Sequence, residues 1–227
     1  MTTLAFIPAR SKSTRWPGAG CKNIAPFLGE PLVVRAARLA FEGKALGLFD
    51  EALISLDGWN QVGQTLERFD ISCWAQRPES VRRQDARVID VLRAHLETME
   101  DRPDLICVLL PTSPLRTLRH LVESFRLLEP GVDVVLSVTP FRQDVRGAVV
   151  EIKGPLVRVG GDHLPGGQIL KHDGQCAWLR TENVLKGQGF YDGYVRPYLI
   201  PPEESADVDT ELDLFIAESL AKRLGRQ

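Results

Sequence analysis

The chain has 227 residues, of which 44% are hydrophobic and 26% charged, and its formal net charge is −2. These values are typical of a soluble globular protein, and the near-neutral charge argues against binding to nucleic acid or an acidic membrane. No apolar run approaches the ~20 residues of a membrane-spanning helix, and the N-terminus becomes charged too early for a secretory signal, so we expect a single-domain cytoplasmic protein.

Strands and helices are predicted to alternate over the first part of the chain. Short apolar runs predict strands at 4–7, 51–56, 71–74, 105–110 and 132–138. Apolar residues at helical spacing predict a helix that begins at Pro31 and others at 61–69, 87–99 and 117–128. The run 105–110 is continuously apolar, which is typical of a central strand buried on both faces. The alternation predicts an α/β fold with a mainly parallel sheet and helices on both sides.

The regular pattern is interrupted between about residues 139 and 173. This segment is rich in Gly, Pro and charge, with short strand-like pieces at 148–152 and 156–159. We interpret it as a flap inserted into the domain rather than as another strand and helix. Further strands at 176–179 and 194–200 and helices at 181–186 and 210–224 are predicted after it.

A basic, glycine-containing loop follows the first predicted strand. It contains Arg10, Ser11, Lys12, Ser13, Arg15, Gly18, Gly20 and Lys22. Glycine lets the backbone approach a phosphate closely, and Arg and Lys neutralise its charge. Open α/β sheets bind ligands at the carboxyl ends of their strands, so the loop predicts a phosphate site. The alternative is a solvated basic loop, and the pattern is not that of a P-loop.

A second polar loop, Pro111–Arg116, follows the apolar run 105–110. Its two prolines restrict the backbone, and Thr112, Ser113 and Arg116 offer hydrogen-bond donors at another strand end. The loop therefore predicts ligand contacts next to the phosphate site. The alternative is a simple turn that caps the following helix.

Two aspartates near the C-terminus form a third candidate group. Asp207 and Asp209 are two residues apart, so in extended backbone their side chains point the same way. Carboxylate oxygens are preferred ligands of Mg²⁺, which fills its remaining positions with water and phosphate oxygens. The alternative is that Asp209 caps the predicted last helix, whose dipole favours acidic residues.

The four cysteines match no zinc-binding spacing. Cys73 and Cys107 lie in apolar segments and are expected to be buried thiols. Cys21 lies in the basic loop, where we weigh a reactive thiol against a part in the phosphate loop. His95 and His120 fall on predicted helices and are expected to be structural or surface residues.

Together these motifs resemble those of the sugar-acid cytidylyltransferases. Ile7–Arg10 matches both branches of the family, and Asp207–Asp213 resembles a motif of the family as a whole. Ser13–Gly18 is similar to the branch that uses KDO, and Lys22–Ile24 and Pro111–Arg116 are similar to the branch that uses acylneuraminate, legionaminate or pseudaminate. Weaker similarities are Ser55–Asp57, Gln76–Pro78 and His172–Gln175. The chain departs from the sialate pattern at Thr14, which replaces a Lys, in the extra residues 19–21, at Leu110 where many relatives have Gln, and at Asp173 where many have Asn.

The resemblance implies a Rossmann-like nucleotidyltransferase (GT-A-like) domain over residues 1–227, and a homodimer in which the flap 139–173 reaches toward the partner. It implies that CTP and a 2-keto-3-deoxy sugar acid react to give a CMP-sugar and pyrophosphate, with Mg²⁺ as cofactor. The implied catalytic residues are Arg10, Lys22 and Asp209. The implied nucleotide-binding residues are Ala9, Arg10, Ser13, Arg15, Lys22, Asn23, Arg77, Thr112 and Ser113. The implied substrate-binding residues are Arg116, Arg146, Asp173 and Gln175, and the implied metal ligands are Asp207 and Asp209.

A nonulosonic acid, such as a sialic, legionaminic or pseudaminic acid, is the preferred substrate class. Three alternatives stay open: a KDO-type synthetase, a nucleotide-binding paralogue without turnover, and a glycosyltransferase of related fold. Binding of CTP without pyrophosphate release would favour the paralogue. Transfer from a nucleotide sugar without use of CTP would favour the glycosyltransferase.

Overall fold

The structure is a computed structural model that describes residues 1–13, 15–16, 20–58, 60–83, 85–140, 148–151, 156–159 and 170–226, with only the backbone at 148–151 and 156–159. The Arg142 and Arg146 of the predicted flap lie outside the described residues. Among the described residues, none of the helices combines the length and the apolar character needed to span a membrane.

The first strand, β1, runs from Thr3 to Ala9 and is buried over its whole length. Alternate residues of a strand point to opposite faces of the sheet, and here both faces are covered. Leu4 and Phe6 pack into one hydrophobic cluster, and Ala5, Ile7 and Ala9 into another. This is why the strand is continuously apolar, and it places the loop after Ala9 at the centre of one sheet edge.

Seven of the described strands form one sheet around β1. They are β1, β4 (Glu51–Leu56), β5 (Trp74–Gln76), β6 (Leu105–Val108), β7 (Val134–Pro140), β10 (Leu170–Arg180) and β11 (Val195–Leu199), in the spatial order β11-β7-β10-β6-β1-β4-β5. Within this sheet, β10 runs antiparallel to both its neighbours, and every other neighbouring pair is parallel. The predicted mainly parallel sheet is confirmed, and the reversed strand is an addition that the sequence did not reveal.

Two small hairpins accompany the main sheet. One pairs β2 (Pro26–Phe27) with β3 (Glu30–Pro31), and the other pairs β8 (Ala148–Glu151) with β9 (Leu156–Val159). The second hairpin confirms the two strand-like pieces predicted in the flap. The flap itself is shorter than the predicted 139–173, because Thr139 and Lys171 pair within the main sheet, as do Pro140 and Leu170.

Helices cover both faces of the sheet, as predicted. The described α-helices are α1 (Leu32–Ala45), α2 (Gln61–Arg68), α3 (Val88–Thr98), α4 (Leu118–Phe125), α5 (Thr181–Leu185) and α6 (Glu211–Arg223). Apolar residues of α1, α2 and α4 share one cluster with Trp178, and those of α3 and α5 share the other. Helix α6 packs with Phe27, Leu32 and Leu115 in a third cluster. Short 3₁₀ turns lie at Lys22–Ile24, Glu79–Val81 and Pro202–Glu204.

A bulge interrupts β10 between His172 and Ala177. Ser137 of β7 stabilises this bulge. The Ser137 hydroxyl donates to Asp173 Oδ1 at 2.5 Å and accepts from the Cys176 N–H at 2.9 Å. Gly174 in the bulge has a φ of +77°, a conformation that glycine adopts without strain. Because β10 is antiparallel to β6 and β7, its start lies at the sheet edge where those two strands end.

Candidate functional site

Loops from several elements meet at the edge where the parallel strands end. The Ser11 N–H and hydroxyl donate to the Asp57 carboxylate at 3.0 and 2.9 Å, which ties the loop after β1 to the loop after β4. The Val208 N–H donates to the Thr112 carbonyl at 2.8 Å, which ties the segment before α6 to the loop after β6. Lys22 of the loop after β1 also lies 2.5 Å from Asp209, so the fold brings together the three groups singled out in the sequence.

A cavity of about 240 Å³ opens between these loops, and we call it the basic cavity. Eight predicted ligand-binding residues line it: Arg10, Ser13, Arg15, Lys22, Asn23, Arg77, Thr112 and Asp209. Lys12, Pro8, Val88 and Leu110 also contribute to its wall. Cations outnumber acids in this lining, so the cavity is suited to an anion that carries several charges.

Asp209 is held by two cations in the basic cavity. Its Oδ1 lies 2.5 Å from Lys22 Nζ, and its Oδ2 lies 2.6 Å from Arg15 Nη1. The side chains of Lys22 and Asp209 are only 20% and 18% exposed, whereas Arg15 is 69% exposed, so the Lys22 pair is the better shielded of the two. Both cations carry N–H groups that a more highly charged anion would also attract.

Asp207 is differently placed, although only Val208 separates it from Asp209. The protein around its carboxyl excludes water in part and raises its pKa, and the charge of Asp209 raises the pKa further, while a hydrogen bond from Thr112 lowers it. Asp207 lines a second cavity of about 380 Å³, and Asp209 lines the basic cavity. The expectation that both carboxylates point the same way is therefore modified: they stand where the two cavities adjoin.

Neither aspartate is needed to cap α6. Thr210 is the N-cap residue, and its hydroxyl accepts from the Asp213 N–H at 3.3 Å while Asp213 accepts from the Thr210 N–H at 2.8 Å. This reciprocal pair is a capping box. The alternative that Asp209 caps the helix is therefore wrong, and neither carboxylate is committed to the cap.

Buried contacts shape the loop that carries Arg10. The Arg10 carbonyl accepts from Asn23 Nδ2 at 2.7 Å and from the Cys21 thiol at 3.1 Å, and the Arg10 guanidinium donates to the Ala86 carbonyl. Burial raises the pKa of Cys21, so the reactive-thiol alternative is not supported. Cys107 is buried as predicted, and Cys73 is half-buried.

Arg77 lies in the floor of the basic cavity and is 1% exposed. Its Nε has no hydrogen-bond partner among the described residues, and burial lowers its pKa to about 10. Next to it, burial and the Arg77 charge lower the pKa of His95 to about 4, and His95 Nε2 lies 2.9 Å from Ser55 Oγ. His95 is thus a neutral, structural histidine, as predicted. Arg77 carries the positive charge of this pair, and it lines the basic cavity.

Several predicted contact residues are buried and line neither the basic cavity nor the cavity beside Asp207. Arg116 is 5% exposed and donates to the Gln175 and Leu110 carbonyls, so it supports the loop after β6, and its substrate contact stays a prediction. Asp173 and Gln175 are also buried, with Gln175 Nε2 donating to the Glu204 carbonyl at 2.5 Å. Ala9 and Ser113, predicted to bind nucleotide, are buried as well. The fold, not residue type, decides which polar groups reach a ligand.

A metal at this site would depend on few protein ligands. The described residues include no group of three or more His, Cys, Asp or Glu side chains suited to a metal ion. Two carboxylates at the junction of two cavities fit an ion such as Mg²⁺, which keeps most of its coordination for water and phosphate oxygens.

Comparison with known proteins places the chain among relatives of one kind. A family model described as cytidylyltransferase matches residues 4–143. The chain is 27% identical to CMP-N,N'-diacetyllegionaminic acid synthase of Legionella pneumophila, an alignment that covers 97% of this chain and 96% of the relative. It is 22% identical to N-acylneuraminate cytidylyltransferase of Escherichia coli and 26% identical to N-acylneuraminate cytidylyltransferase A of Danio rerio, and it spans about half the length of these two relatives (53% and 51%).

Solved structures share the fold at low sequence identity. CMP:2-keto-3-deoxy-manno-octonic acid synthetase complexed with CTP matches with a TM-score of 0.69 and 16% identity, over 99% of this chain and 100% of that one. The 4-diphosphocytidyl-2C-methyl-D-erythritol synthase of Anaerococcus prevotii matches with a TM-score of 0.64 and 12% identity, over 98% and 99%. The predicted Rossmann-like nucleotidyltransferase fold is confirmed by these likenesses.

Proposed function

Because this chain belongs to the cytidylyltransferase family, we propose that it transfers the cytidylyl group of CTP to an acidic keto-sugar, with release of pyrophosphate. The preferred acceptor is a nonulosonic acid, such as a legionaminic, sialic or pseudaminic acid. The relative from Legionella pneumophila and the two acylneuraminate cytidylyltransferases support this class. The structural observation that carries the proposal is the basic cavity, in which Lys22 and Arg15 hold Asp209 at a strand edge.

The triphosphate of CTP is the anion that fits the basic cavity. Arg10, Arg15 and Lys22 lie on the loop after β1, and Arg77 approaches from the floor. Arg and Lys bind phosphate oxygens through charge-assisted hydrogen bonds, which strengthen where water is excluded. The half-buried Lys22 and the buried Arg77 would therefore contribute more than the exposed Arg15.

We propose Mg²⁺ as the cofactor, held by Asp207 and Asp209. When bound, the ion neutralises phosphate charge and lowers the pKa of an attacking hydroxyl. Lys22 and Arg15 already occupy both oxygens of Asp209. The triphosphate offers these cations a new partner, so Asp209 becomes free for the ion when the nucleotide arrives.

The reaction itself requires alignment and charge stabilisation. The anomeric hydroxyl of the sugar acid attacks the α-phosphorus and releases its proton to water, a new P–O bond forms, and the bond from the α-phosphorus to the bridging oxygen of the departing pyrophosphate breaks in line. Catalysis of such transfers is mostly positioning and electrostatics. Arg10, Arg15 and Lys22 would hold the departing pyrophosphate, on which negative charge grows as the bond breaks.

We also propose a cytoplasmic homodimer. Leu212 and Phe215 on α6 are 66% and 67% exposed, and exposed apolar groups of this kind favour a contact surface. Light scattering at several concentrations tests the assembly, and replacement of both residues by Ser is expected to shift the mass toward a monomer. An unchanged dimer mass would place the interface elsewhere.

A pyrophosphate-release assay tests the activity directly. CTP and Mg²⁺ are offered with KDO, neuraminic, legionaminic and pseudaminic acids in turn, and release is expected with a nine-carbon acid. Asp209→Asn is the matched variant, because it keeps the shape of the side chain and removes its charge. Near wild-type turnover by Asp209→Asn would refute the metal assignment, and CTP binding without any release would favour a paralogue without turnover.

A further inference from the structure

Glu204 lies three residues before Asp207, and three donor groups surround its carboxylate. Arg119 Nη2 lies 2.8 Å from Oε2, His120 Nε2 lies 3.0 Å from the same oxygen, and the Arg226 guanidinium donates to it as well. Burial lowers the pKa of His120, so this ring contributes a hydrogen bond and the two arginines contribute the charge. The Glu204 side chain is only 15% exposed, and pairs shielded in this way are screened less by salt than surface ion pairs are.

Further hydrogen bonds extend from Glu204 into a closed ring of contacts, which we call the Glu204 ring. Arg226 Nη1 donates to the Leu115 carbonyl at 2.6 Å. Gln175 Nε2 donates to the Glu204 carbonyl at 2.5 Å, and Arg116 donates to the Gln175 carbonyl. Arg116 directly follows Leu115 in the chain, so the ring closes there. It joins the loop after β6, the bulge of β10, the turn before the two aspartates and the residues just after α6.

The proposed metal ligands lie between Glu204 and the start of α6. Val208, which separates them, donates its N–H to the Thr112 carbonyl at 2.8 Å, and Thr210 begins the capping box of α6. Among the described residues, Glu204 is the nearest residue before Asp207 whose side chain hydrogen-bonds to another element. A displacement of ~1 Å at a reacting centre can cost about 100-fold in rate, so the position of this anchor matters for both aspartates.

We propose that Glu204 and Arg226 are positioning residues, which hold Asp207 and Asp209 in place for the Mg²⁺–nucleotide complex. This inference rests on the proposed function. Neither Glu204 nor Arg226 lines the basic cavity or the cavity beside Asp207, so both residues act through the segment that carries the aspartates and not by touching the nucleotide. The Glu204 ring fixes the distance between that segment and the loop after β6, which contributes Thr112 to the basic cavity.

Titration calorimetry of CTP with and without Mg²⁺ tests the positioning role of Glu204. Mg²⁺ is expected to tighten CTP binding by the wild-type protein. Glu204→Gln is expected to reduce this enhancement about tenfold and to change the affinity for CTP without Mg²⁺ by less than about twofold. Glu129→Gln is the matched control, because Glu129 accepts from Arg196 at 2.6 Å and precedes β7, at the opposite edge of the sheet. Full Mg²⁺ enhancement in Glu204→Gln would overturn the inference.

Steady-state kinetics separates a positioning role from a general loss of structure. At saturating CTP and Mg²⁺, and well below the Tm of each variant, Glu204→Gln is expected to lower kcat about 10- to 100-fold. Thr181→Val is the control for lost stability, because it removes a buried hydrogen bond to the Pro103 carbonyl where β10 ends, at the opposite edge of the sheet. This control is expected to lower Tm and to keep the wild-type kcat. An equal fall in kcat for the two variants would refute the positioning role.

A double-mutant cycle tests whether Arg226 acts through Glu204. Because the two residues share one ion pair, Arg226→Met combined with Glu204→Gln is expected to reduce the Mg²⁺ enhancement no further than the more damaging single variant does. Arg226→Lys keeps the charge and is expected to retain most of the enhancement. Losses that multiply in the double variant would remove Arg226 from the assignment. If the wild-type protein bound CTP with Mg²⁺ enhancement but released no pyrophosphate with any acid, the proposed function would fail, and the calorimetry would still decide the positioning role.

Discussion

Gly174 joins the bulge of β10 to the loop after β6, and its replacement by Ala tests how tightly the two fit. A Cβ at this position would lie 3.0 Å from Leu110 Cδ1 and 3.0 Å from Ser113 Oγ. Backbone at φ +77° costs a residue with a Cβ about 1–2 kcal/mol. Crowding against a buried neighbour adds about 1–2 kcal/mol, and the smaller entropy of the unfolded Ala chain offsets roughly 0.4–1 kcal/mol. The expected net loss of stability is about 1.5–3 kcal/mol.

Urea denaturation monitored by tryptophan fluorescence and circular dichroism measures this loss. For a chain of this size the same loss lowers Tm by roughly 3–12 °C. Gly187→Ala is the matched control, because Gly187 has a φ of +97° and a Cβ there would meet no atom within 4 Å. The control is expected to lose only about 1 kcal/mol, from backbone strain alone. Equal destabilisation by the two variants would show that the bulge does not press on Leu110 and Ser113.

Three further variants test charge and burial. Lys22→Met is expected to weaken CTP binding about tenfold or more in titration calorimetry. Lys44→Met, on the exposed surface, is the control and is expected to bind CTP as the wild-type protein does. Equal CTP affinities of the two variants would place the triphosphate elsewhere. The pKa of His95 is lowered to about 4, so the unfolded chain binds a proton at a higher pH than the folded chain does. The free energy of unfolding therefore falls as the pH drops from ~6.5 toward 4, by up to about 1.4 kcal/mol per pH unit. His95→Gln should reduce this slope in urea titrations at pH 7, 6 and 5, and an unaltered slope would contradict the reasoning. Ser124→Ala removes the acceptor 2.9 Å from Trp178 Nε1 and should cost about 1–3 kcal/mol in the same measurement; a smaller loss would mean that water replaces the hydroxyl.

Much of the fold follows from local pattern. The apolar run 105–110 predicts a buried central strand, and β6 is buried on both faces, although it ends at Val108. Leu109 stays in the core, whereas Leu110 turns out of the sheet and reaches the basic cavity. Hydrophobicity alone does not predict where the chain leaves the sheet, because Leu109 and Leu110 are both apolar. The boundary is set by the first turn of the following loop.

The grouping of candidate residues was predictable from the sequence where the motif is local. Arg10, Arg15 and Lys22 lie on one loop, and the fold brings all three to one cavity. The periodicity that placed Asp207 and Asp209 on one side assumes a paired strand, and these residues belong to no strand of the described sheet. The alternation of side chains along a strand therefore could not predict that Asp207 and Asp209 line different cavities.

Residues placed by long-range pairing were the hardest to interpret. Arg116, Asp173 and Gln175 have the side chains of ligand contacts, but the reversed strand β10 between β6 and β7 buries them. Lys171, two residues before Asp173, carries no motif of its own. Only the pairing of Lys171 with Thr139 brings its charge to a cavity wall.

The reversed strand also affects what the fold can tolerate. Because β10 is antiparallel to β7, Pro140 and Leu170 are direct partners, and the chain leaves and re-enters the sheet at neighbouring points. The sheet itself therefore holds the end of β7 and the start of β10 together, and the entropy of closing a connection between them changes only slowly with its length. The register of these two strands is set by their own pairing, so we expect the connection to tolerate changes in length while the core that folds the domain stays constant.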